Sequence, residues 1–391
     1  MEKEHSPGQQ VDYTLLFILF LMAIVSCVAI DSSQPFLPEK LKSINFVAQQ
    51  IKWYIIGAVA IIITMILDFD RFKMISWYLY GFGLILLLGL EFNFPSALVE
   101  TRKGATSWYS LPGIGTFQPS ELVKIILIIV LSKIVAEHRE KYPINTVKDD
   151  FLLLGKIFLT SAPPIYLLTK QPDMGMTMVF MAIMGSLILV AGIKWRIIFG
   201  FLFTGIFSIS VFVYIYFAFP EFFRAYIIKE DYQLNRFYGW LAPEQHSSEQ
   251  GFQLLRSLLA IGSGQLRGKG YQNSEVIIPE GHTDFIFAVI AEQFGFIGAS
   301  IVISLFFLLI YRLIHAALES HDPFGSYLCA GVIGMITFQV FQNIGMSIQL
   351  LPITGLPLPF ISYGGSSLAT YMIAIGIVLN VRSRTRKYMF D

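Results

Sequence analysis

The chain has 391 residues, of which 55% are hydrophobic and 14% charged, against about 25% charged in ordinary soluble domains. That composition excludes a soluble enzyme held by a single anchor and points to a polytopic membrane protein. The formal net charge of +1 decides nothing about partners, because charge in such a chain is sorted by membrane side.

Ten stretches are apolar enough to cross roughly 30 Å of hydrocarbon at about 20 residues each. They are 12–30, 51–67, 74–92, 118–136, 151–169, 173–192, 195–218, 283–313, 325–347 and 361–381. Residues 1–10 are polar and no cleavage pattern follows the first apolar run, so that run reads as a span. With the N-terminus inside, the inner loops and termini hold 14 Lys and Arg against 6 in the short outer loops. Both termini are therefore expected in the cytoplasm. The expected fold is all-α, one integral membrane domain over 1–391 with a large extracellular loop at 219–282 between spans 7 and 8. Cys27 and Cys329 both lie in apolar runs and read as small buried residues.

The ionisable residues beside the spans carry the chemistry, because charge in hydrocarbon is costly. Glu121 and Lys124 stand at i, i+3 at the outer start of span 4 and can pair on one face. Asp173 follows Gln171-Pro172 at the outer start of span 6, where it could equally cap a helix. Asp284 and Glu292 open span 8. On a straight helix rising 1.5 Å per residue, Glu292 stands roughly 30 Å and Asp284 roughly 40 Å from Arg312. Asp284 is thus expected at the outer headgroup level. Four carboxylates gather on the outer side, whereas a transport path would carry polar groups through the whole depth. His282 has no second His or Cys at ligand spacing.

The long loop interleaves aromatic residues from Phe222 to Trp240 with Arg224, Lys229 and Arg236, then turns glycine-rich and basic from Gly262 to Gly270. An interfacial segment and an anionic-lipid surface both fit. Backbone N–H groups of Gly262, Gly264, Gly268 and Gly270 could meet phosphate oxygens, although no Walker loop is present. Residues 323–381 contain no Asp, Glu, Lys or Arg, yet Pro352, Pro357 and Pro359 break any helix there. Irregular backbone at membrane depth survives only inside protein or facing a cavity, so 352–360 reads as a partly re-entrant segment lining a lipid-accessible groove.

The segments G-A-T-S-W…F-Q-P-S-E-L-V-K, Q-P-D-M-G, S-G-Q-L-R-G-K-G, H-T-D-F-I-F-A-V-I-A-E and L-P-I-T-G-L-P-L-P-F-I-S-Y-G-G-S-S resemble, in order and over nearly the whole chain, the SEDS family of RodA, FtsW and SpoVE. Gly104 to Trp108 lacks the paired arginines usual in FtsW, which makes the resemblance closest to RodA. The departures are Met174 and Met176 in the Q-P-D segment, Gln293 after Glu292, and Gln265 after Gly264.

That resemblance implies a peptidoglycan glycosyltransferase in the bacterial cytoplasmic membrane. Its substrate would be lipid II, polymerised at the outer face for elongation and shape, division or sporulation. Its partners would be a class B penicillin-binding protein and other elongation or division machinery, with no nucleic acid. It places the family's essential loop aspartate on Asp284, its ion pair on Glu121 and Lys124, and its Q-P-D aspartate on Asp173. Glu292 and His282 would support these. Lys269, Arg267, Arg102 and Lys103 are the candidates for the substrate pyrophosphate, with a divalent cation, Mg or Mn, as a further source of positive charge. Two other readings remain open: a flippase for the lipid-linked precursor, and a non-catalytic scaffold for the transpeptidase.

Overall fold

The computed structural model describes residues 11–102, 105–111, 115–219, 239–241, 243–244 and 249–385. The helices are α1 (Tyr13–Ser33), α2 (Phe46–Ile66), α3 (Phe69–Glu91), α4 (Pro119–Lys141), α5 (Val147–Lys170), α6 (Met174–Val190), α7 (Trp195–Ala218), α8 (Glu249–Gly264), α9 (Ile286–Glu319), α10 (Pro323–Ser347) and α11 (Gly365–Thr385). Among the described residues seven helices are long and apolar enough to cross a membrane: α1, α2, α3, α5, α9, α10 and α11. Two more apolar helices, Met174–Val190 and Trp195–Ser208, are shorter. With α4 they account in order for every expected span, and the chain is an all-α polytopic membrane protein.

Polar residues set where the helices start. Asp12, Asn45, Thr146, Asp173 and Asp322 each accept a backbone N–H from the first turn of the helix that follows, which satisfies amides that have no intrahelical partner. Pro119 and Pro323 occupy first-turn positions, where a missing N–H costs nothing.

Helix α4 is the axis of the bundle. From Val123 to Ser132 every residue on it is buried, and a helix covered all round belongs in a core. That position explains how its charged residues are tolerated: protein, not lipid, surrounds them. Small residues let the neighbours close in, as expected where lipid offers no hydrophobic drive to associate. Gly331 of α10 lies against Ile128, Gly83 of α3 against Val123, and Gly57 of α2 against Met372 of α11.

Two features depart from the sequence expectations. Three strands, β1 (Val99–Arg102), β2 (Ala105–Leu111) and β3 (Gly115–Phe117), form an antiparallel sheet in the order β1-β2-β3. Its Tyr109 hydroxyl donates to Leu86 O and Phe94 O, and Thr116 O accepts from Ser366. The sheet thereby ties the C-terminal end of α3 to the N-terminal end of α11.

The second departure is in α9, which is not a straight rod. Gly295 breaks it with φ 64° and ψ −162°. The N–H groups of Phe296 and Ile297 turn to Gln265 O and Leu266 O at 2.8 and 3.2 Å. The carbonyls of Glu292 and Gln293, freed on the other side, accept from Lys269 and Gly270, each at 3.0 Å. Segment 265–270 is stitched into the break, so the straight-helix depths drawn from Arg312 do not hold. The stitch also corrects the reading of the glycines. The Gly268 N–H donates to Gly264 O and the Gly270 N–H to Gln293 O, so neither faces an anion. A Cβ on Gly264 would overlap Ala291 O, and one on Gly268 would overlap Gln293 O. These glycines exist for close packing.

Candidate active site

Asp284 sits where the segment after α8 enters α9. It is not the cap of that helix: the N-cap is Phe285, with no side-chain bond to the first turn. The half-buried carboxylate instead lies beside the Pro-rich segment, where a methyl placed on Gly355 would stand 3.5 Å from Asp284 Oδ2. Gly355 has φ 73°, a conformation natural to glycine and strained for other residues, while a Cβ there would meet the acid at ordinary van der Waals distance.

The backbone around Asp284 is fixed by uncharged polar side chains. Asn343 of α10, fully buried, donates through Nδ2 to Asp284 O at 2.7 Å and to Leu356 O at 2.8 Å. Gln342 donates to Pro352 O, and Tyr54 of α2 to Phe360 O at 2.5 Å. Ser362 donates to Thr283 O at 2.6 Å while accepting from Leu358 N, and Tyr363 N donates to His282 O. These bonds let 352–363 run irregularly with Leu356, Leu358, Phe360 and Ile361 buried. Sequence reasoning missed Asn343, Gln342 and Ser362 because they carry no charge. The available signal was a face of Gln339, Gln342, Asn343 and Ser347 in an otherwise apolar span. Replacing Asn343 by Ala leaves both carbonyls unpaired, at about 1–3 kcal/mol for a buried group. We expect turnover at this site to fall about tenfold while substrate binding holds, a split read by titrating substrate against the variant.

Asp173 caps the helix, α6, whose first turn packs on the same segment. It caps α6 through Met176 N and accepts from Gln118 Nε2 at 3.0 Å. Gly175, two residues on, packs against Leu356 and Thr354 O. Within two turns of Gln118, the Lys124 ammonium meets Glu121 at 2.5 Å, both buried, and lies 4.4 Å from the centre of the Tyr371 ring. Residues 354–356 thus meet the Asp284 carboxylate at Gly355 and the first turn of α6, which Asp173 caps, at Thr354 and Leu356.

The other candidates separate. Buried Glu292 faces the segment after α8, where one oxygen accepts from Glu275 N and Val276 N at 2.9 and 3.0 Å. Lys269 is committed to Glu275 at 2.6 Å and Glu292 at 3.5 Å. The Glu275 hydrogen bond first, and the two negative charges with it, hold the Lys269 ammonium above its ordinary range. That pairing is present below the unfolded lysine range and is lost only as pH rises into alkali. His282 packs against Phe46 and Tyr363, with centroids 4.8 and 6.0 Å away, and those two rings also touch each other. Arg267 is exposed, and among the described residues no carboxylate pairs with it. Arg102 ends β1, and Lys103 lies outside the described residues, as do the aromatic positions from Phe222 to Tyr238. Trp240 is described: its indole donates to Gln349 O, and Gln349 Nε2 returns a bond to Trp240 O. Among the described residues no group of three or more His, Cys, Asp or Glu is placed to hold a metal ion.

Part of the expected loop is therefore a helix, α8, and it is docked. Ser257 donates to Ser347 O, and Leu254 and Ala260 share a cluster with Phe285, Ala288, Val289, Met346 and Ile353. The same cluster roofs the start of α9, so α8 braces the backbone on both sides of Asp284.

Comparison with known proteins adds to this geometry. A family model described as cell cycle protein, that of FtsW, RodA and SpoVE, matches residues 12–387. The chain is 31% identical over 386 residues to a protein of Geobacter metallireducens named probable peptidoglycan glycosyltransferase FtsW, covering 97% of this chain and 96% of that one. It is 32% identical over 381 residues to the peptidoglycan glycosyltransferase MrdB of Escherichia coli K12, covering 96% and 94%. A solved chain described under "Structural coordination of polymerization and crosslinking by a peptidoglycan synthase complex" superposes with TM-score 0.76 at 29% identity, covering 97% of this chain and 99% of that one.

Proposed function

The chain belongs to the FtsW/RodA/SpoVE family, and on that premise we propose how this peptidoglycan glycosyltransferase of the bacterial cytoplasmic membrane does its chemistry. The substrate is lipid II, a disaccharide-pentapeptide on a polyprenyl pyrophosphate, and Asp284 is the general base. The observation that carries this reading is the place of the Asp284 carboxylate: half-buried, beside the apolar segment 352–360, on a backbone gripped by Asn343.

The acceptor sugar's 4-hydroxyl attacks the anomeric carbon of the donor. Its oxygen forms the new glycosidic bond as the bond from that carbon to the pyrophosphate oxygen breaks, with inversion. The hydroxyl proton passes to Asp284. The lipid pyrophosphate leaves as an anion and needs positive charge rather than a strong acid. Arg267 supplies it best among the described basic candidates, since Lys269 is already paired. The described side chains do not form a closed site for Mg or Mn, and no step is routed through a cation here. Asp173, Glu121 and Lys124 hold the starts of α6 and α4, the former packed on 354–356, and Glu292 shapes the outer loop.

The lysine and arginine distribution supports an outer-face site with both termini inside, and 219–282 as the extracellular loop. The chain resembles a subunit of a synthase complex, which supports a class B penicillin-binding protein as its partner. Identities of 31% to an FtsW and 32% to MrdB do not separate division from elongation. Only Gly104 to Trp108, without paired arginines, favours the elongation role.

Purified protein in detergent micelles is expected to convert lipid II into glycan. A flippase has no compartments to work between in micelles, and a scaffold makes no polymer, so absence of glycan from folded protein with its partner present would overturn this reading.

A further inference from the structure

We propose that Gln50 of α2 is a positioning residue for Asp284, acting through a strained turn at Phe360 that it holds together with Ser26 of α1 and Tyr54 of α2. The proposal rests on the glycosyltransferase reading above and adds α1 and α2 to the elements that set where the base stands.

The Ile361 N–H returns to Pro359 O at 2.8 Å, which closes a three-residue turn around Phe360, and Phe360 has φ 64°. A turn of that size and hand is rare and strained. A residue with a side chain keeps such a backbone only where its surroundings over-determine it. Here three successive carbonyls are each taken by a side chain from α1 or α2. Tyr54 donates to Phe360 O at 2.5 Å, Ser26 to Ile361 O at 2.8 Å, and Gln50 through Nε2 to Ser362 O at 3.3 Å. Gln50 and Ser26 are fully buried, so water cannot stand in for either.

Proton count singles out Gln50 among the three. Ser26 has one hydroxyl proton, which goes to Ile361 O, so its oxygen accepts from Gln50 Nε2 at 3.1 Å. Ser362 O can only accept as well. The amide nitrogen therefore faces two acceptors, and its two N–H donors match them. Loss of those donors frees Ser362 O directly and loosens Ser26 from Ile361 O.

The turn stands one link from the base. Ser362 donates to Thr283 O at 2.6 Å while accepting from Leu358 N, and Tyr363 N donates to His282 O at 3.0 Å. Residues 282 and 283 lead straight into Asp284. The Phe360 ring also lies 5.4 Å from the Tyr371 ring, the one that faces Lys124. The turn thus joins α2, segment 282–284 and the buried ion pair. The bonds from Gln50 to Asp284 run through backbone carbonyls, so Gln50 acts on where the acid stands and not on its charge.

A double-mutant cycle on the full chain in detergent, read by lipid II polymerisation, tests the proposal. Gln50→Met keeps the length of the side chain and removes both donors. Its kcat should fall about tenfold, as expected when a catalytic group is misplaced, while KM stays within about twofold. In the Asp284→Asn background the same substitution should leave the residual rate unchanged, because no base remains to be misplaced. Hydrogen exchange gives a second readout: the amides of Leu358 and Tyr363, which lean on Ser362 and His282, should exchange faster in Gln50→Met. Ile62→Ala, on the exposed face of the same helix, should alter neither. If Gln50→Met does not fold, Tyr54→Phe carries the same test, since it removes one hydroxyl from a half-buried ring. It should melt near the wild type and lose about threefold in kcat, again with no effect on Asp284→Asn. A wild-type kcat in the variant that folds overturns the proposal. So does an equal fractional loss with and without Asp284, which would show that Gln50 acts elsewhere than on the base. Wild-type kcat in Gln50→Met beside an inactive Asp284→Asn sinks the positioning role and leaves the catalytic reading standing. A fully active Asp284→Asn removes the base itself and with it the premise of the positioning role.

Discussion

Asp284→Asn should lower glycan polymerisation by about 10²–10⁴, the usual worth of a positioned general base, while the protein still inserts, folds and binds lipid substrate. The substitution keeps the shape of the side chain and removes its ability to take a proton. The backbone bonds that locate the residue, from Asn343 to Asp284 O and from Ser362 to Thr283 O, do not involve the carboxylate. The effect should therefore fall on kcat rather than KM, because the group acts on the proton in flight and not on ground-state binding. Asp284→Glu is expected to recover only part of the rate, since the longer side chain moves the acid about one bond length toward Gly355. Substrate-dependent rates on detergent-purified variants, with melting curves run in parallel, decide this.

Lys124→Met should destabilise the protein by about 3–5 kcal/mol, the cost of leaving one member of a buried ion pair uncompensated. Lys124 is fully buried and Glu121 is 3% exposed, so water cannot replace the lost partner. The ammonium also faces the Tyr371 ring at 4.4 Å, a contact worth on the order of 2 kcal/mol when desolvated. Placing Leu at Glu121 in the same protein should restore most of the melting temperature, because removing both charges removes the desolvation cost along with the attraction. Thermal unfolding of the single and double variants in one detergent reads both outcomes. A single variant that melts with the wild type would show that the pair is not the keystone its burial implies.

What was legible before folding follows from which constraints are local. The ten spans could be read because bilayer thickness forces about 20 apolar residues in each, whatever the packing. Even α4 was found despite Glu121, Lys124 and Lys133, although only the fold shows why it tolerates them: protein covers nearly all its faces. Asp284, Asp173 and the Glu121–Lys124 pair stood out because charge beside hydrocarbon is rare. The residues that hold Asp284 in place did not, since Asn343 and Ser362 act on carbonyls far away in sequence and look like ordinary polar residues in a span. The break in α9 was hidden because one glycine in E-Q-F-G-F-I-G leaves no periodic signature. For the same reason Gly264 and Gly268 were misread: a missing Cβ serves an anion cradle and a close backbone crossing equally well, and only the neighbouring Ala291 and Gln293 decide between them. Helix α8 carried a signal that went unused, with Leu254, Leu258 and Ile261 at helical spacing inside what reads as a glycine-rich loop.

The most direct measurement of the central claim is the pH dependence of lipid II polymerisation at saturating substrate, for wild type and for the residual activity of Asp284→Asn. If Asp284 takes the proton, the wild-type rate falls tenfold per pH unit on the acidic side as one carboxylate is protonated, and that limb is absent from the variant. An Asp284→Asn protein that polymerises at the wild-type rate, or that keeps the same acidic limb, would contradict the assignment.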